Sequence, residues 1–415
     1  MTMRTSGAPL VQFTLPGVVG SRRESMRRGY LSVEVVLLSA TGFVCLLFVL
    51  DQHGVVKRDL TPLEQPVSTK ESVKLLVIPP GAAYWVRTSH LGCQENSSVV
   101  NITGFKQLPD HIKDFLRYRH CRHFPTLLDV PNKCGGPAAS TEVFLFLVIK
   151  SSPSNYERRE VIRKTWGKET TYEGVQVRRL FISGVPSDPR EARRMKKLLR
   201  IESRDHGDIL QWDFYDSFFN LTLKQVLFHQ WVEKNCPGAR FIFNGDDDVF
   251  VNTYNMVHYL LGLKTSNNGD KHLFVGQLIA NVGPIRESWS KYYVPVQVTT
   301  SNSYPPYCGG GGILMSGFTA RTIHKMSLGI ELLPIDDAYL GICLEKAGLK
   351  PASHMGMRTV GVNIPSSRLD SFDPCYYREL LMVHRFVPYE MLVMWRAIQE
   401  PNLICGKKTQ VYLGM

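Results

Sequence analysis

The stretch from Phe241 to Asn252 reads FIFNGDDDVFVN, and three consecutive carboxylates, Asp246, Asp247 and Asp248, sit between two short apolar runs. A buried strand that stops at clustered acids places them at the carboxyl end of a sheet, where open α/β folds keep their ligands. Adjacent carboxylates repel one another, so such a cluster is best tolerated around a cation. Hard oxygen donors suit Mn²⁺ or Mg²⁺, which bridge readily to the phosphates of a nucleotide. The alternatives are a solvated acidic turn and a calcium loop. The regular ligand spacing of a calcium loop is absent, and apolar residues flank the acids on both sides.

Four further stretches carry reactive or special residue types. Arg158, Arg159 and Arg163 lie in RREVIRKTWG, residues 158–167, on a helix expected from the capping pattern of Ser154 to Glu157. They form a solvated face or pair with a phosphate or a core acid. Tyr304 to Gly312 combines aromatics, prolines and four glycines, which permit close backbone approach. Asp336 and Asp337 form a second acidic pair, either functional or an N-cap before a helix over Tyr339–Ala347. His384 lies in MVHRF, as a ligand or as an ordinary histidine.

The elements that must position these residues alternate. Val143–Ile149 is a continuous apolar run of buried-strand length, and Val177–Ile182, Ile209–Trp212 and Phe241–Phe243 are further strands. Helices are expected from about Asn155 to Trp166, over Arg190–Glu202 with a basic solvated face, and over Leu221–Cys236. That order implies a mostly parallel sheet covered on both faces.

Residues 1–30 carry Arg4, Arg22, Arg23, Arg27 and Arg28 against one acid, Glu24, and Leu31–Leu50 is apolar enough for a transmembrane signal anchor. The arginines orient residues 1–30 to the cytosol, and no cleavage site follows Leu50. Residues 51–105, with Pro62, Pro66, Pro79 and Pro80, read as a stem, and 106–415 as one large lumenal domain. Asn96, Asn101 and Asn220 begin N-glycosylation triplets. Cys45 falls in the membrane segment; the other eight cysteines form an even set without a CxxC pair, so disulfides are expected. The net charge is +12, from 49 basic and 37 acidic residues, without an aromatic-interleaved basic stripe, so nucleic acid is excluded as a partner while an anionic substrate suits the balance.

RREVIRKTWG, HGDILQWDF, DSFFNLTLK, GDDDVFVN, YPPYCGGGG, IDDAYLGICLEKAG, DPCYYREL and MVHRF follow one another in this chain in the order seen in the Golgi β-1,3-glycosyltransferases. With RHCRHFP at 119–125 they cover about Arg119 to Phe386, and the chain resembles that family of galactosyl- and N-acetylglucosaminyltransferases. Asp336-Asp337 resembles the N-acetylglucosaminyl branch, and RHCRHFP with the stretch from Ser371 to Trp395 resembles the branch that extends core 1 mucin-type O-glycans. Asn244 departs from a frequent Lys, touching donor contacts, and Ala338 from a usual Val, touching packing.

The resemblance implies a GT-A fold, a Rossmann-like nucleotide-sugar half merged with an acceptor half, in a single-pass Golgi membrane protein. It implies Mn²⁺ or Mg²⁺ on Asp248, Asp246 and His384. Asp246, Asp247, Arg163 and Lys224 would contact the donor, and Asp337, beside Asp336, would be the catalytic base. The implied activity is inverting transfer of GlcNAc from UDP-GlcNAc to the 3-hydroxyl of terminal β-galactose, on core 1 O-glycans or poly-N-acetyllactosamine of glycoproteins. UDP-Gal is the alternative donor, a non-catalytic partner subunit the alternative class, and a homodimer or a heterodimer with other glycosyltransferases is compatible with either.

Overall fold

The computed structural model describes residues 93–359 and 372–406. The stretches expected as cytosolic tail, as anchor at Leu31–Leu50 and as stem up to residue 92 lie outside them. Among the described residues no helix is long and apolar enough to cross a membrane. The packed body begins within the stretch read as stem: Val99 and Phe105 are buried in its core, and Cys93 is bonded to Cys121.

After a first helix, α1 (Asp110–Tyr118), come β1 (Thr126–Leu128) and β2 (Val143–Lys150). The latter is buried at every position. Then follow α2 (Tyr156–Lys164), β3 (Thr171–Tyr172), β4 (Val175–Val185), α3 (Pro189–His206), β5 (Ile209–Tyr215), α4 (Leu221–Asn235) and β6 (Phe241–Asp246). Strands β5, β4, β2 and β6 are parallel neighbours, as the alternating pattern requires. The even-numbered side chains Phe146 and Val148 of β2 enter the core beneath α4, while Leu145, Leu147 and Ile149 enter the other, with Ile162 and Trp166. This two-residue period explains an unbroken apolar run: both faces of a central parallel strand are covered.

The second half departs from the parallel pattern. After β7 (Val249–Val251) and α5 (Thr253–Gly262) come β8 (Phe274–Gly276), β9 (Leu278–Ile279), β10 (Tyr307–Cys308) and β11 (Gly312–Ser316). Strand β11 inserts antiparallel between β6 and β8. Helices α6 (Gly317–Ser327) and α7 (Asp336–Lys346) lead to β12 (Ala352–Ser353), which closes the order β1-β5-β4-β2-β6-β11-β8-β12 with β3 on β4. Then β13 (Met357–Arg358), a short helix α8 (Pro374–Tyr377), β14 (Met382–His384) and α9 (Pro388–Ala397) complete the described chain. A separate three-stranded sheet runs β13-β14-β7. It brings the carboxyl-terminal MVHRF back beside the acidic cluster.

Several expectations change. The expected capping box does not form: Asn155, not Ser154, is the N-cap of α2, and its side chain makes no capping bond. Asn155 Nδ2 instead donates to Asp247 Oδ2 at 2.8 Å. Arg163, expected to contact the donor, is committed to protein acids instead. It is buried and meets Asp208 at 2.9 Å, Glu202 at 3.0 Å and Glu160 at 2.8 Å. Arg159 pairs with Glu202 at 2.7 Å and Arg179 with Asp208 at 2.6 Å, so these guanidiniums belong to a buried ionic core rather than to a solvated face. Burial would raise the Asp208 pKa, but hydrogen bonds and charge from Arg163 and Arg179 hold it below the ordinary carboxylate value.

Six of the eight cysteines outside the anchor are bridged, as Cys93–Cys121, Cys134–Cys236 and Cys375–Cys405. Cys308 and Cys343 are buried thiols, so the even set is not paired throughout. Of the glycosylation triplets, Asn96 and Asn101 are exposed, whereas Asn220 is half-buried and donates to the Tyr215 carbonyl at 2.9 Å.

The ionic core separates stability from ligand binding in a test. Arg163→Lys keeps the charge but loses the fork that bridges Glu160, Glu202 and Asp208. Each hydrogen bond to a charged partner that the shorter ammonium cannot remake costs about 1.5–3 kcal/mol. We expect a loss of that order in urea unfolding followed by circular dichroism. The affinity for UDP should be unchanged; a fall in UDP affinity without a stability loss would restore the donor role.

Candidate active site

The site begins at the carboxyl end of β2. The register pairs Lys150 with Asp246 of β6 and with Ile182 of β4, so a lysine terminates the central strand beside the first acid of the cluster. Lys150 is 6% exposed. Its Nζ lies 3.0 Å from Asp246 Oδ1 and 3.0 Å from Asp336 Oδ2, and donates to the Gly310 carbonyl at 3.2 Å. A buried ammonium would ordinarily lose its proton; here burial is outweighed by Asp246 and Asp336, and its pKa is raised. Sequence reasoning missed Lys150. The available signal was a single charged residue closing an apolar run at the expected ligand end of the sheet.

The three acids of the cluster are not equivalent. Asp247 is buried and turned towards α2, where Asn155 donates to it and Arg158 lies at 3.6 Å. Its burial raises its pKa against those bonds. Asp248 faces the antiparallel partner of β7: His384 pairs with Val249, and His384 Nε2 lies 3.1 Å from Asp248 Oδ1. The other ring nitrogen, Nδ1, faces the Thr359 carbonyl at 3.0 Å, which fixes the ring with Nε2 towards the acids. Burial opposes ionisation of both partners, yet their mutual bond lowers the Asp248 pKa and raises that of His384. Asp246 is pushed up to about 6, by burial first and by the Asp336 and Asp248 charges, with Lys150 opposing.

Asp246, Asp248 and His384 each offer a ligand atom within 4.8 Å of the others. Two carboxylate oxygens and one imidazole nitrogen form a donor set that suits Mn²⁺ or Mg²⁺ and leaves positions for phosphate oxygens. Of the helix-α2 arginines only Arg158 reaches the cluster, 3.8 Å from Asp248.

Asp336 and Asp337 occupy the first turn of α7, whose N-cap is Ile335, so neither acid is the cap and the helix starts three residues earlier than expected. Asp336 is buried against Lys150. Asp337 Oδ1 accepts from the Ala338 amide at 2.8 Å. Burial, then the neighbouring Asp336 charge, pushes Asp337 up to about 7. Tyr304 and Tyr307 lie near enough for its charge to add to their raised pKa values, which burial dominates.

The glycine run stitches the two acidic groups together. A Cβ on Gly311 would meet the His384 ring at 3.2 Å, and one on Gly310 would meet the Asp337 carboxylate at 3.5 Å. Gly311 also accepts the Asp246 amide through its carbonyl at 3.1 Å. Asn244 and Lys224 lie behind this face. Asn244 accepts from Gln225 Nε2 at 2.6 Å within the core, so its departure from lysine changes packing behind the cluster. Lys224 is not among the groups at the cluster: it is buried and paired with Asp216 at 2.7 Å, and the lysine that meets the acids is Lys150.

Comparisons with known proteins agree with this geometry. The galactosyltransferase family model matches residues 157–355. A human N-acetyllactosaminide beta-1,3-N-acetylglucosaminyltransferase 3 is 56% identical over 84% of this chain and 90% of its own length. A human acetylgalactosaminyl-O-glycosyl-glycoprotein beta-1,3-N-acetylglucosaminyltransferase is 49% identical over 84% of this chain and 87% of its own. A rat UDP-GlcNAc:betaGal beta-1,3-N-acetylglucosaminyltransferase 7 is 44% identical over 80% of this chain and 82% of its own. The chain therefore belongs to the galactosyltransferase family, in the branch that holds these β-1,3-N-acetylglucosaminyltransferases.

Proposed function

We propose that this protein is an inverting β-1,3-N-acetylglucosaminyltransferase. It moves GlcNAc from UDP-GlcNAc to the 3-hydroxyl of terminal β-galactose on glycoprotein glycans, including core 1 O-glycans, in the Golgi lumen. The fold reading is GT-A. One observation carries the chemistry: Lys150 and the Gly310–Gly311 backbone hold the Asp246/Asp248/His384 set and Asp337 in one site. The relatives' names supply the sugar and the linkage.

Asp337 accepts the proton of the galactose 3-hydroxyl as that oxygen attacks the anomeric carbon. The bond from that carbon to the diphosphate oxygen breaks, UDP leaves with the electron pair, and the α-linked donor gives a β-linked product. One base suffices, since the leaving diphosphate needs no protonating acid, unlike the leaving alcohol of a glycosidase. A bound Mn²⁺ or Mg²⁺ on Asp246, Asp248 and His384 would supply charge neutralisation at the diphosphate. Asp336, fixed by Lys150, orients its neighbour rather than reacting. Transfer in place of hydrolysis requires that the galactose, not water, reaches Asp337. Tyr304 and Tyr307, half-buried near Asp337, are the side chains in reach to limit water there.

The mechanism is tested on the purified full-length chain. Asp337→Asn keeps the shape of the base but cannot take the proton, and positioned proton transfer contributes about 10²–10⁴-fold. We expect a fall of that size in kcat with UDP-GlcNAc still bound; in the parent enzyme kcat/KM should decline as pH falls through about 7, where Asp337 becomes protonated. Retained activity in Asp337→Asn, or an α-linked product by NMR, excludes this base. Asp248→Asn should abolish turnover with little change in melting temperature, and EDTA should do the same reversibly; full activity in EDTA would contradict the cation site. Parallel assays with UDP-Gal decide the donor.

Lys150→Met removes the counter-charge of Asp246 and Asp336. Lys150 lowers the Asp337 pKa, so its loss should shift the acid limb of the pH profile upward and reduce kcat about 10–100-fold. Lys150→Arg should recover part of both. A lower kcat with an unmoved acid limb would reduce Lys150 to a packing role.

A further inference from the structure

The basic helix α3 carries more charge than a solvated face needs. Arg190, Arg193, Arg194, Lys197, Arg200 and Arg204 are all exposed. At about 100° per residue they fall within a stripe about 120° wide, roughly 21 Å long from Arg190 to Arg204. Arg190 lies 3.9 Å from Asp188 and Arg204 bonds Asp205 at 3.0 Å. Among the described residues no acid pairs with Arg193, Arg194, Lys197 or Arg200.

The arrangement works against the helix that bears it. Arg190 with Arg194, Arg193 with Lys197, and Arg200 with Arg204 are like charges four residues apart, each pair costing about 0.2–0.5 kcal/mol. Arg190, Arg193 and Arg194 also stand in the first turns, where the helix dipole disfavours cations. The helix is held despite this by the Asp188 side-chain cap, Pro189 and Glu202, which is buried against Arg159 and Arg163. A local conflict that the fold sustains from elsewhere points to a binding role.

We propose that this stripe is an exosite for a sulfated glycan chain, borne by the acceptor whose galactose end enters the Asp337 site. It rests on the glycan-acceptor reading above. The stripe starts on the active-site side of the sheet: α3 follows β4, whose Ile182 pairs with Lys150 of β2. Six cationic groups over about four helical turns of about 5.4 Å supply at least one per turn for a chain charged at successive sugars. Arginine forks bind planar and tetrahedral oxyanions in bidentate fashion. A membrane-surface helix would carry Trp, Phe or Leu beside its cations. Here the large exposed apolar side chain on the helix is Ile201 alone.

The test uses the full-length chain in neutral detergent and Arg193→Gln/Arg194→Gln/Lys197→Gln/Arg200→Gln, a set that keeps helix propensity. Fluorescence anisotropy with a sulfated chondroitin hexasaccharide should show binding that weakens with salt and falls about 10–100-fold in the variant. The unsulfated hexasaccharide should bind neither protein. In transfer assays KM should rise only for galactose-terminated acceptors with sulfated internal sugars, and neutral acceptors should be unaffected. Binding retained by the variant overturns the proposal. So does equal or tighter binding of the parent to polyglutamate or phosphatidylserine vesicles, which would assign the stripe to an acidic protein or a lipid surface. The anisotropy needs no turnover, so failure of the proposed reaction and failure of the exosite are distinguishable.

Discussion

Everything at the active site depends on one buried ammonium. Lys150 ends the most enclosed strand of the sheet and sits 3.0 Å from both Asp246 and Asp336. Moving a carboxylate out of water costs several kcal/mol even after relaxation, and two of them beside one another cost more. Asp336 is buried and Asp246 half-buried, with 33% of its side chain exposed, and the cation between them offsets the repulsion and the lost hydration of both. In turn, the cation is tolerable only with both acids and the Gly310 carbonyl around it. The interaction therefore does two jobs with one group. It joins β6 to the start of α7, elements 90 residues apart from Asp246 to Asp336 in sequence, and it sets the field in which Asp337 ionises.

The fold around this bridge was legible where one physical signal dominates. Apolar runs of strand length, separated by helices, predicted β2, β4, β5 and β6 and their parallel pairing. The second half was not legible, because its strands are two to five residues long and four of its pairings are antiparallel. No local pattern tells a short antiparallel insert from a turn. The acidic cluster, Asp337, His384 and the glycine run were visible as residue types at odds with their apolar neighbours. Their convergence was not, since it rests on β14 pairing β7 across more than 130 residues, with Asp248 and His384 separated by 136.

The misassigned residues share a cause. Arg163 and Lys224 carry charge within matching motifs, and a charged residue in a motif invites a ligand. Each instead serves carboxylates inside the protein: Glu202 and Asp208 for Arg163, Asp216 for Lys224. Sequence reveals that a charge exists but not whether its partner is substrate or protein. Asn155 errs the other way. It stands where a helix cap should bond its own backbone, and it gives that bond to Asp247. The helix start is thereby tied to the acidic turn, at the loss of a cap contribution of about 1 kcal/mol.

What distinguishes the roles of the acids is environment rather than residue type. Asp248, bonded to His384 and near Arg158, lies below the ordinary carboxylate pKa and remains an anion, as a cation ligand must. Asp246, half-buried between Lys150 and two other acids, is raised to about 6. Asp337, further from Lys150 and beside the Asp336 charge, is raised to about 7, where it can accept a proton and lose it again. Carboxylates of one chemistry are thus spread over a range of proton affinities, and such a spread assigns acid, base and ligand roles in one pocket. Burial leads at Asp246 and Asp337 and is reinforced by neighbouring carboxylates, even with Lys150 at 3.0 Å from Asp246, whereas at Asp248 the His384 bond and the Arg158 charge outweigh it. A base built this way needs no residue of unusual chemistry, only a lysine placed beside its neighbour rather than beside itself.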